Sequence, residues 1–282
     1  MKIVRSVRTM RRVSSGWKAR RQRIALVPTM GSLHAGHAAL IRAARRAADR
    51  VVVSVFVNPI QFNDLEDYRI YPKNLAKDAR LARESGADAL FAPTIAQMYP
   101  NGFGTFVEVE GATERWEGEF RPGHFRGVAT VVAKLFSIVA PDSAFFGLKD
   151  YQQTVVILKM VRDLDLSVRI RALPTVRERD GLALSSRNGR LSPTGRKAAP
   201  RIYQSLLLAR ALFRAGERRA GWIRAALKRF LGAERGIRVE YIALCGPEGL
   251  EPVERVFDGA VVLVAVRIAG VRLIDNLILS SS

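Results

Sequence analysis

The sequence predicts an α/β fold, in which a Rossmann-like, doubly wound parallel sheet in residues 1–175 precedes a smaller C-terminal α+β lid domain in residues 176–282. An apolar run at residues 24–27 leads through a glycine-containing turn into helical periodicity at residues 38–50. The run at residues 50–57 is rich in valine, as is typical of a parallel strand buried on both faces. Arginine-faced helical patterns and three further strand patterns then follow in the second domain.

The turn after the first strand has the features of an anion site. Gly31 and Gly36 allow a ligand to approach the backbone, and the helix that follows presents free N–H groups at its positive end. His34 and His37 are three residues apart, so both imidazoles lie on one face of the first helical turn. A phosphate ligand fits this pattern; a solvated histidine pair or a partial metal site are the alternatives.

The composition predicts a globular protein of a reducing compartment, with the cytoplasm as the expected location. Cys245 is the single cysteine, so no internal disulfide can form. No apolar run approaches the roughly 18 residues that a membrane-spanning helix needs, so we expect no membrane partner. The net charge of +20 arises mainly in residues 1–23 and 196–230. Both segments have the pattern of solvated arginine faces, and neither has aromatics interleaved in the manner of a base-stacking platform, so nucleic acid is not the expected partner.

Polar side chains follow the second strand at the edge of the predicted sheet where ligands bind. Asn58 and Gln61 lie in the string FVNPIQF, just after that strand ends. An amide offers a donor and an acceptor without charge, which suits the hydroxyl and carboxylate groups of a small polar substrate. A simple Asn-Pro turn is the alternative interpretation.

A second strand-to-helix junction repeats this arrangement at Gly147. Lys149 supplies a point charge for a phosphate, and Asp150 can cap the helix or accept from ribose hydroxyls. Gln153 lies on the same helical face as Asp150. An exposed ion pair between Lys149 and Asp150 is the alternative, and such a pair contributes little to stability.

The string ALSSRN places two serines and an arginine on a loop, and such side chains on a mobile loop can close over a triphosphate. The hydroxyls of Ser185 and Ser186 can donate hydrogen bonds, and the guanidinium of Arg187 can neutralise developing charge. Taken alone, this triplet is equally typical of a solvent-exposed turn. Elsewhere, the alternation at residues 105–110 predicts a strand, and residues 193–215 predict one continuous helix.

Several strings together resemble the pantoate–β-alanine ligase family of the HxGH nucleotidyltransferase superfamily. They are PTMGSLHAGH, FVNPIQF, EGEFRPGHFRGV, GLKDYQQ, ALSSRN and RLIDN, in the family's order from about residue 24 to residue 276. The resemblance implies ATP-dependent condensation of pantoate with β-alanine through a pantoyl adenylate, with release of AMP and pyrophosphate. It also implies ATP as co-substrate, Mg²⁺ as cofactor and a homodimer.

The resemblance assigns roles to individual residues. The catalytic residues it implies are His34, His37, Lys149 and Arg187, with His37 as the candidate proton donor to pyrophosphate. The ATP-binding residues it implies are Met30, Gly31, His34, Gly36, His37, Gly147, Lys149, Asp150, Val176, Leu184, Ser185, Ser186 and Arg187. The substrate-binding residues it implies are Asn58, Gln61 and Gln153, with Gln61 shared between pantoate and β-alanine. No metal ligand can be named from the sequence.

One departure and two alternatives accompany this assignment. Leu148 stands where the family usually has glutamate, and we expect this position to contact nucleotide through its backbone. The first alternative is another HxGH nucleotidyltransferase, which would need a basic grip on a phosphorylated substrate where Asn58 and Gln61 stand. The second is an RNA-binding protein built on a degenerate synthetase core, which the net charge of +20 would explain directly.

Overall fold

The computed structural model describes residues 1–63 and 65–281, with the backbone alone for Leu65. Contacts divide the chain into two units. The first consists of Met1–Gly147 and Val156–Pro174, and the second of Leu148–Val155 and Thr175–Ser282.

The first unit is built on a parallel sheet of six strands in the described residues. The strands are β1 (Lys2–Val4), β2 (Ile24–Thr29), β3 (Arg50–Val55), β4 (Ala89–Phe91), β5 (Ser143–Gly147) and β6 (Arg169–Leu173). Their order across the sheet is β1-β4-β3-β2-β5-β6, and every neighbouring pair is parallel. From β2 the chain proceeds outward to β3 and β4, and then returns to the other side of β2 with β5. The order therefore reverses between β2 and β5, the position where doubly wound sheets bind ligands.

Helices connect these strands and cover the sheet. They are α1 (Val7–Ala19), α2 (Ala35–Ala47), α3 (Leu65–Arg69), α4 (Leu75–Glu84), α5 (Ile95–Met98), α6 (Glu117–Phe120), α7 (His124–Val139) and α8 (Tyr151–Asp163), whose first residues belong to the second unit. Apolar residues of α2 and α4 form one core cluster with alternate residues of the central strands. Helices α1 and α7 contact β2 and each other but contribute nothing to that cluster, so they cover the other face.

The second unit packs helices against a small antiparallel sheet. It contains α9 (Pro193–Ala198), α10 (Arg201–Arg214), α11 (Ala220–Gly232), β7 (Ile237–Cys245), β8 (Val261–Ile268) and β9 (Val271–Ile278). The strands pair in sequence order, and their inward side chains form one core with the apolar stripes of α10 and α11. These two sheets confirm the predicted fold class. In the described part of the chain, no helix is long and apolar enough to cross a membrane.

Two local predictions were wrong. Residues 105–110 form no strand and pair with none among the described residues; the N–H of Val107 donates instead to the hydroxyl of Thr130, at 3.0 Å. The predicted helix at residues 193–215 is divided into α9 and α10. Pro200 lies at the division, and proline has no N–H with which to continue the helical hydrogen bonds.

Gly127 lets α7 approach the one-turn 3-10 helix Pro59–Gln61 more closely than any other residue could. A Cβ at this position would lie 2.5 Å from the carbonyl oxygen of Ile60 and 2.7 Å from the backbone nitrogen of Gln61. Both are backbone atoms, so neither can move aside as a flexible side chain would. The glycine therefore fixes the distance between α7 and the segment that carries Gln61.

We predict that Gly127→Ala lowers the free energy of unfolding by about 1–3 kcal/mol, because the added methyl forces the two backbones apart. Gly16→Ala is the matched control: Gly16 lies within α1, with no atom near its missing Cβ, and we expect a gain of about 0.5–1 kcal/mol. Urea unfolding measures both. Equal stability of Gly127→Ala and the parent protein would show that the close approach is not a constraint.

Candidate functional site

The loop after β2 lies at the switch point and is held in shape by Thr29. Its hydroxyl donates to the carbonyl of Ser54 at the end of β3, at 2.6 Å, and accepts from the N–H of Gly31 at 3.1 Å. Gly31 and Ser32 then adopt positive φ values of 85° and 51°. The left-handed pair turns the chain sharply from the strand into α2.

Asp78 holds the next part of this loop. Its carboxylate accepts from the N–H of Ser32 at 3.0 Å and from the N–H of Leu33 at 2.7 Å. Asp78 is 1% exposed, so the two backbone donors supply the polar partners that a buried carboxylate requires. Asp78 was not among the residues predicted from the sequence. The available signal was a charged residue on the stripe of α4 that also carries the buried Ala79 and Ala82.

His34 and His37 cap the start of α2 reciprocally. The Nδ1 atom of His34 accepts from the N–H of Gly36 at 3.2 Å, and the Nδ1 atom of His37 accepts from the N–H of His34 at 3.3 Å. The ring centroids are 4.1 Å apart. Because Nδ1 is an acceptor in both rings, the neutral imidazoles carry their proton on Nε2. The helix start therefore offers two Nε2–H donors in addition to its own N–H groups.

Asn58 and Gln61 form a buried amide pair beside this loop. Asn58 donates through Nδ2 to Gln61 Oε1 and to the carbonyl of Gly127, both at 3.0 Å. Gln61 Nε2 lies 2.8 Å from the sulfur of Met30. The structure thus brings two of the predicted substrate residues together with Met30 of the predicted nucleotide site.

Tyr99 completes the amide pair from the opposite side. Its hydroxyl donates to Asn58 Oδ1 at 2.8 Å, and burial raises the pKa of the Tyr99 phenol well above its ordinary value. The hydroxyl therefore remains a donor through the alkaline range. Both N–H groups of Asn58 are thus occupied by protein, whereas Oδ1, which can accept two hydrogen bonds, receives one from Tyr99. The predicted substrate contact of Asn58 stays a prediction.

The end of β5 lies at the same edge of the sheet as the end of β2. Residues Ala25 and Leu26 of β2 pair with Ser143 and Ala144 of β5, so Gly147 lies at the carboxyl end beside the loop. The 3-10 helix Leu148–Asp150 follows directly and continues into α8.

Within the second unit, Asn276 fixes the backbone of this 3-10 helix. Its side-chain N–H groups donate to the carbonyls of Leu148 and Lys149, both at 2.8 Å. The ammonium of Lys149 lies 3.3 Å from Asp150 Oδ1. The ion pair that was the alternative interpretation of these residues is therefore present. The backbone of Leu148 is held by a bond that does not involve its side chain.

Val176 and Leu184 are paired at the base of a short hairpin. The N–H of Leu184 donates to the carbonyl of Val176 at 3.0 Å, and Arg177 bridges to Ala183 in the next position. Arg177 forms a two-pronged ion pair with the buried carboxylate of Asp275, at 2.6 and 3.0 Å, and stacks on the ring of Tyr203. These contacts attach the hairpin to β9.

The Ser185–Arg187 segment follows the hairpin and is also held locally. Ser185 caps the 3-10 helix Ser186–Arg190 by accepting from the N–H of Arg187 at 3.2 Å. The side chain of Asn188 donates to Ala183 and to Glu178, whose carboxylate also pairs with Arg196 at 2.6 Å. The same guanidinium holds the pKa of Asp180 below its ordinary value.

The predicted site residues fall into two sets, each described within its own unit. The first unit holds Met30, Gly31, His34, Gly36, His37, Asn58, Gln61 and Gly147. The second holds Lys149, Asp150, Gln153, Val176, Leu184, Ser185, Ser186 and Arg187. A cleft in the second unit is lined by Lys149, Ser185, Arg187, Asn188 and Arg272, among others. The cleft therefore contains the basic side chains of Lys149 and Arg187 and the hydroxyl of Ser185, which belong to the predicted phosphate site.

We predict that Asp78→Asn lowers the free energy of unfolding by about 1–3 kcal/mol, because the amide replaces one acceptor by a donor that faces a backbone N–H. Asp163→Asn is the control at an exposed ion pair near the end of α8, and we expect no loss of stability from it. Chemical denaturation checks the difference. If the two variants unfold alike, Asp78 does not anchor the loop.

Comparison with known proteins identifies the family. The sequence profile of pantoate–β-alanine ligase matches residues 2–278. The chain is 47% identical over 279 residues to pantothenate synthetase of Moorella thermoacetica, covering 99% of each chain. It is 52% identical over 258 residues to that of Thermus thermophilus, covering 91% of this chain and 93% of the relative.

Solved structures agree with the sequence comparison. The crystal structure of pantothenate synthetase from Thermus thermophilus matches with a TM-score of 0.94 at 48% identity, covering 99% of this chain and 100% of that chain. A pantoate–β-alanine ligase from Francisella tularensis, complexed with β-γ ATP and β-alanine, matches with a TM-score of 0.81 at 33% identity, covering 99% and 97%. The chain therefore belongs to the pantoate–β-alanine ligase family.

Proposed function

We propose that the chain is a ligase that condenses pantoate with β-alanine to give pantothenate, with cleavage of ATP to AMP and pyrophosphate. The observation that carries the proposal is the position of the Gln61 amide, 2.8 Å from Met30 in the turn that leads to the HxGH histidines. An uncharged amide beside a phosphate-binding turn suits a hydroxy acid. An HxGH enzyme that acts on a phosphorylated substrate would need a cation there, and the family match supports the same choice.

The reaction proceeds in two steps. A carboxylate oxygen of pantoate attacks the α-phosphorus of ATP, and pyrophosphate departs to leave pantoyl adenylate. The amine of β-alanine then attacks the acyl carbon, loses a proton, and displaces AMP, which keeps the attacking oxygen of pantoate. Neither step needs a covalent intermediate on the protein, so catalysis rests on positioning and on stabilising phosphate charge.

In the first unit, we assign binding of the ATP phosphates to the N-terminus of α2 and to its two histidines. His34 and His37 each use Nδ1 to accept from the backbone, and so they meet the phosphates as Nε2–H donors. This refines the role expected for His37. A neutral imidazole whose Nδ1 is occupied stabilises the departing pyrophosphate by donating a hydrogen bond, and pyrophosphate needs no proton to leave. Gly31 and Gly36 have no side chain, so they leave the backbone accessible to the phosphates.

In the second unit, we assign phosphate binding to cations and hydroxyls. The ammonium of Lys149 pairs with Asp150 in this structure and would exchange that partner for a phosphate oxygen. Ser185, Ser186 and Arg187 would bind the triphosphate, while Val176 and Leu184 would border the nucleoside. Asp150 would accept from the ribose hydroxyls, and Gln153 would contact pantoate.

We assign Mg²⁺, a cytoplasmic location and a homodimer to the chain as part of the same proposal. In the described part of the chain, no group of three or more His, Cys, Asp or Glu side chains could hold a metal ion. Magnesium would therefore be bound mainly by nucleotide phosphates and water, where it would offset their charge. The net charge of +20 belongs to solvated arginine faces on this proposal, and RNA binding is not assigned.

The first test measures release of AMP and pyrophosphate with pantoate and β-alanine omitted in turn. We expect adenylation to require pantoate, and sustained AMP release to require both substrates. AMP formed equally well without pantoate, or no AMP with both substrates present, would contradict the proposal. Binding of RNA that weakens steeply with salt, without AMP formation, would favour the RNA-binding alternative.

We predict that His37→Ala lowers the rate of adenylation at least about 100-fold, as expected for removing one donor to a developing charge. His37→Gln is the matched comparison, because its side-chain N–H can replace Nε2–H, and we expect it to retain more of the rate than the alanine variant. Single-turnover assays with ATP and pantoate measure both. An unchanged rate in His37→Ala would remove His37 from the mechanism.

A further inference from the structure

The third histidine of the chain lies outside the HxGH motif, at the start of α7. His124 is 8% exposed and faces the segment that carries Gln61. We propose that His124 is a positioning residue, which holds the backbone of Gln61 as a neutral imidazole protonated on Nδ1, and thereby sets the affinity for pantoate. This inference rests on the proposed function of Gln61.

The two ring nitrogens of His124 have partners that allow one neutral tautomer. Nδ1 lies 2.8 Å from the carbonyl oxygen of Gln61, which can only accept, so Nδ1 is the donor. Nε2 lies 3.1 Å from Nη1 of Arg121, and a guanidinium can only donate, so Nε2 is the acceptor. A second proton on the ring would place an N–H against the guanidinium. The neutral Nδ1–H form satisfies both contacts.

The Gln61 carbonyl depends on these outside donors because its own turn is weakly closed. The N–H of Gln61 lies 3.4 Å from the carbonyl of Asn58, and the N–H of Phe62 lies 3.3 Å from that of Pro59. Both distances exceed the usual range for backbone hydrogen bonds. The contacts from His124, at 2.8 Å, and from Arg121 Nη2, at 3.2 Å, converge on the Gln61 carbonyl. They therefore fix the peptide from which the Gln61 side chain projects.

The same segment of chain also fixes the Gln61 side chain. The carbonyl of Gly127, one turn after His124, accepts from Asn58, which in turn donates to Gln61 Oε1. Gln61 is thereby held at its main chain by His124 and Arg121, and at its amide by Asn58. Loss of the His124 donor would let the peptide rotate and would turn the amide away from pantoate. The expected effect falls on pantoate affinity, and the phosphate-binding groups of α2 keep their own contacts.

The test compares three substitutions at His124 in the full-length protein. In His124→Asn the side-chain nitrogen occupies the position of Nδ1 and keeps the donor to Gln61. In His124→Gln the side-chain nitrogen occupies the position of Nε2 and faces Arg121. In His124→Ala neither nitrogen position is occupied. We expect the KM for pantoate to rise about tenfold in the glutamine and alanine variants and to stay within about threefold of the parent in His124→Asn, as one hydrogen bond implies. The KM for ATP should not change in any of them.

Two further measurements separate this role from a purely structural one. Nitrogen-15 spectra of the histidine side chains should show a proton on Nδ1 for His124 and on Nε2 for His34 and His37. Thermal unfolding of the three variants shows whether pantoate affinity changes independently of stability. An Nε2-protonated His124, equal pantoate KM values in the three variants, or KM values for pantoate and ATP that rise together with falling stability would overturn the inference.

Failure of the inference is distinguishable from failure of the proposed function. If the parent protein forms AMP only with pantoate and the asparagine and glutamine variants behave alike, the proposed function stands and the role of His124 is wrong. If the parent protein forms no AMP with both substrates, the proposed function fails. The tautomer of His124 can still be measured in that case, because it does not depend on turnover.

Discussion

The contact between α7 and the Pro59–Gln61 turn is the constraint on which the proposed pantoate site of the first unit depends. Gly127 permits the two backbones to meet, and its carbonyl then accepts from Asn58. That bond orients Asn58 toward Gln61, and the hydroxyl of Tyr99 donates to Asn58 Oδ1. The amide of Gln61 is thus held by a chain of hydrogen-bonded polar groups. Such preorganisation limits the side-chain entropy lost when a small polar acid binds.

Backbone N–H groups organise the proposed phosphate site of the first unit in the same way. Asp78 takes two of them from the loop, and each imidazole of the HxGH motif takes one. The side chains that bind the backbone through one atom can offer a second atom to a ligand. For His34 and His37 that atom is Nε2, whose proton follows from the bond made by Nδ1. The first unit thus holds the neutral donors of His34 and His37, and the second unit, by itself, holds the cations of Lys149 and Arg187.

Sequence alone predicted those elements whose patterns are strong. The strand β3 was predicted correctly because burial on both faces restricts its residues to a β-branched run. The turn after β2 was predicted correctly because its positive φ favours glycine. The alternation at residues 105–110 led to the wrong prediction of a strand, because a segment with alternating apolar residues forms a strand only where another strand is available to pair. Pro200 itself marks the division between α9 and α10 in the sequence, because proline interrupts the hydrogen bonds of a helix.

The site was predictable to the extent that its residues stand in compact strings. His34, His37, Asn58 and Gln61 could be named, but their partners come from distant parts of the chain. Asp78, Tyr99 and Asn276 donate or accept across 41 to 128 residues of sequence, and no local pattern specifies such pairings. The tautomers of the three histidines likewise depend on atoms that only the folded structure brings near. The role of His124 is of this kind.

In the proposed reaction, pantoate is activated by attack of its own carboxylate on the α-phosphorus of ATP. Pantoate labelled with oxygen-18 in the carboxylate tests this step, with AMP recovered after complete turnover and examined by mass spectrometry. We expect one labelled oxygen in the phosphate of AMP, because the P–O bond formed in the first step is not the C–O bond broken in the second. Unlabelled AMP formed together with pantothenate would contradict it.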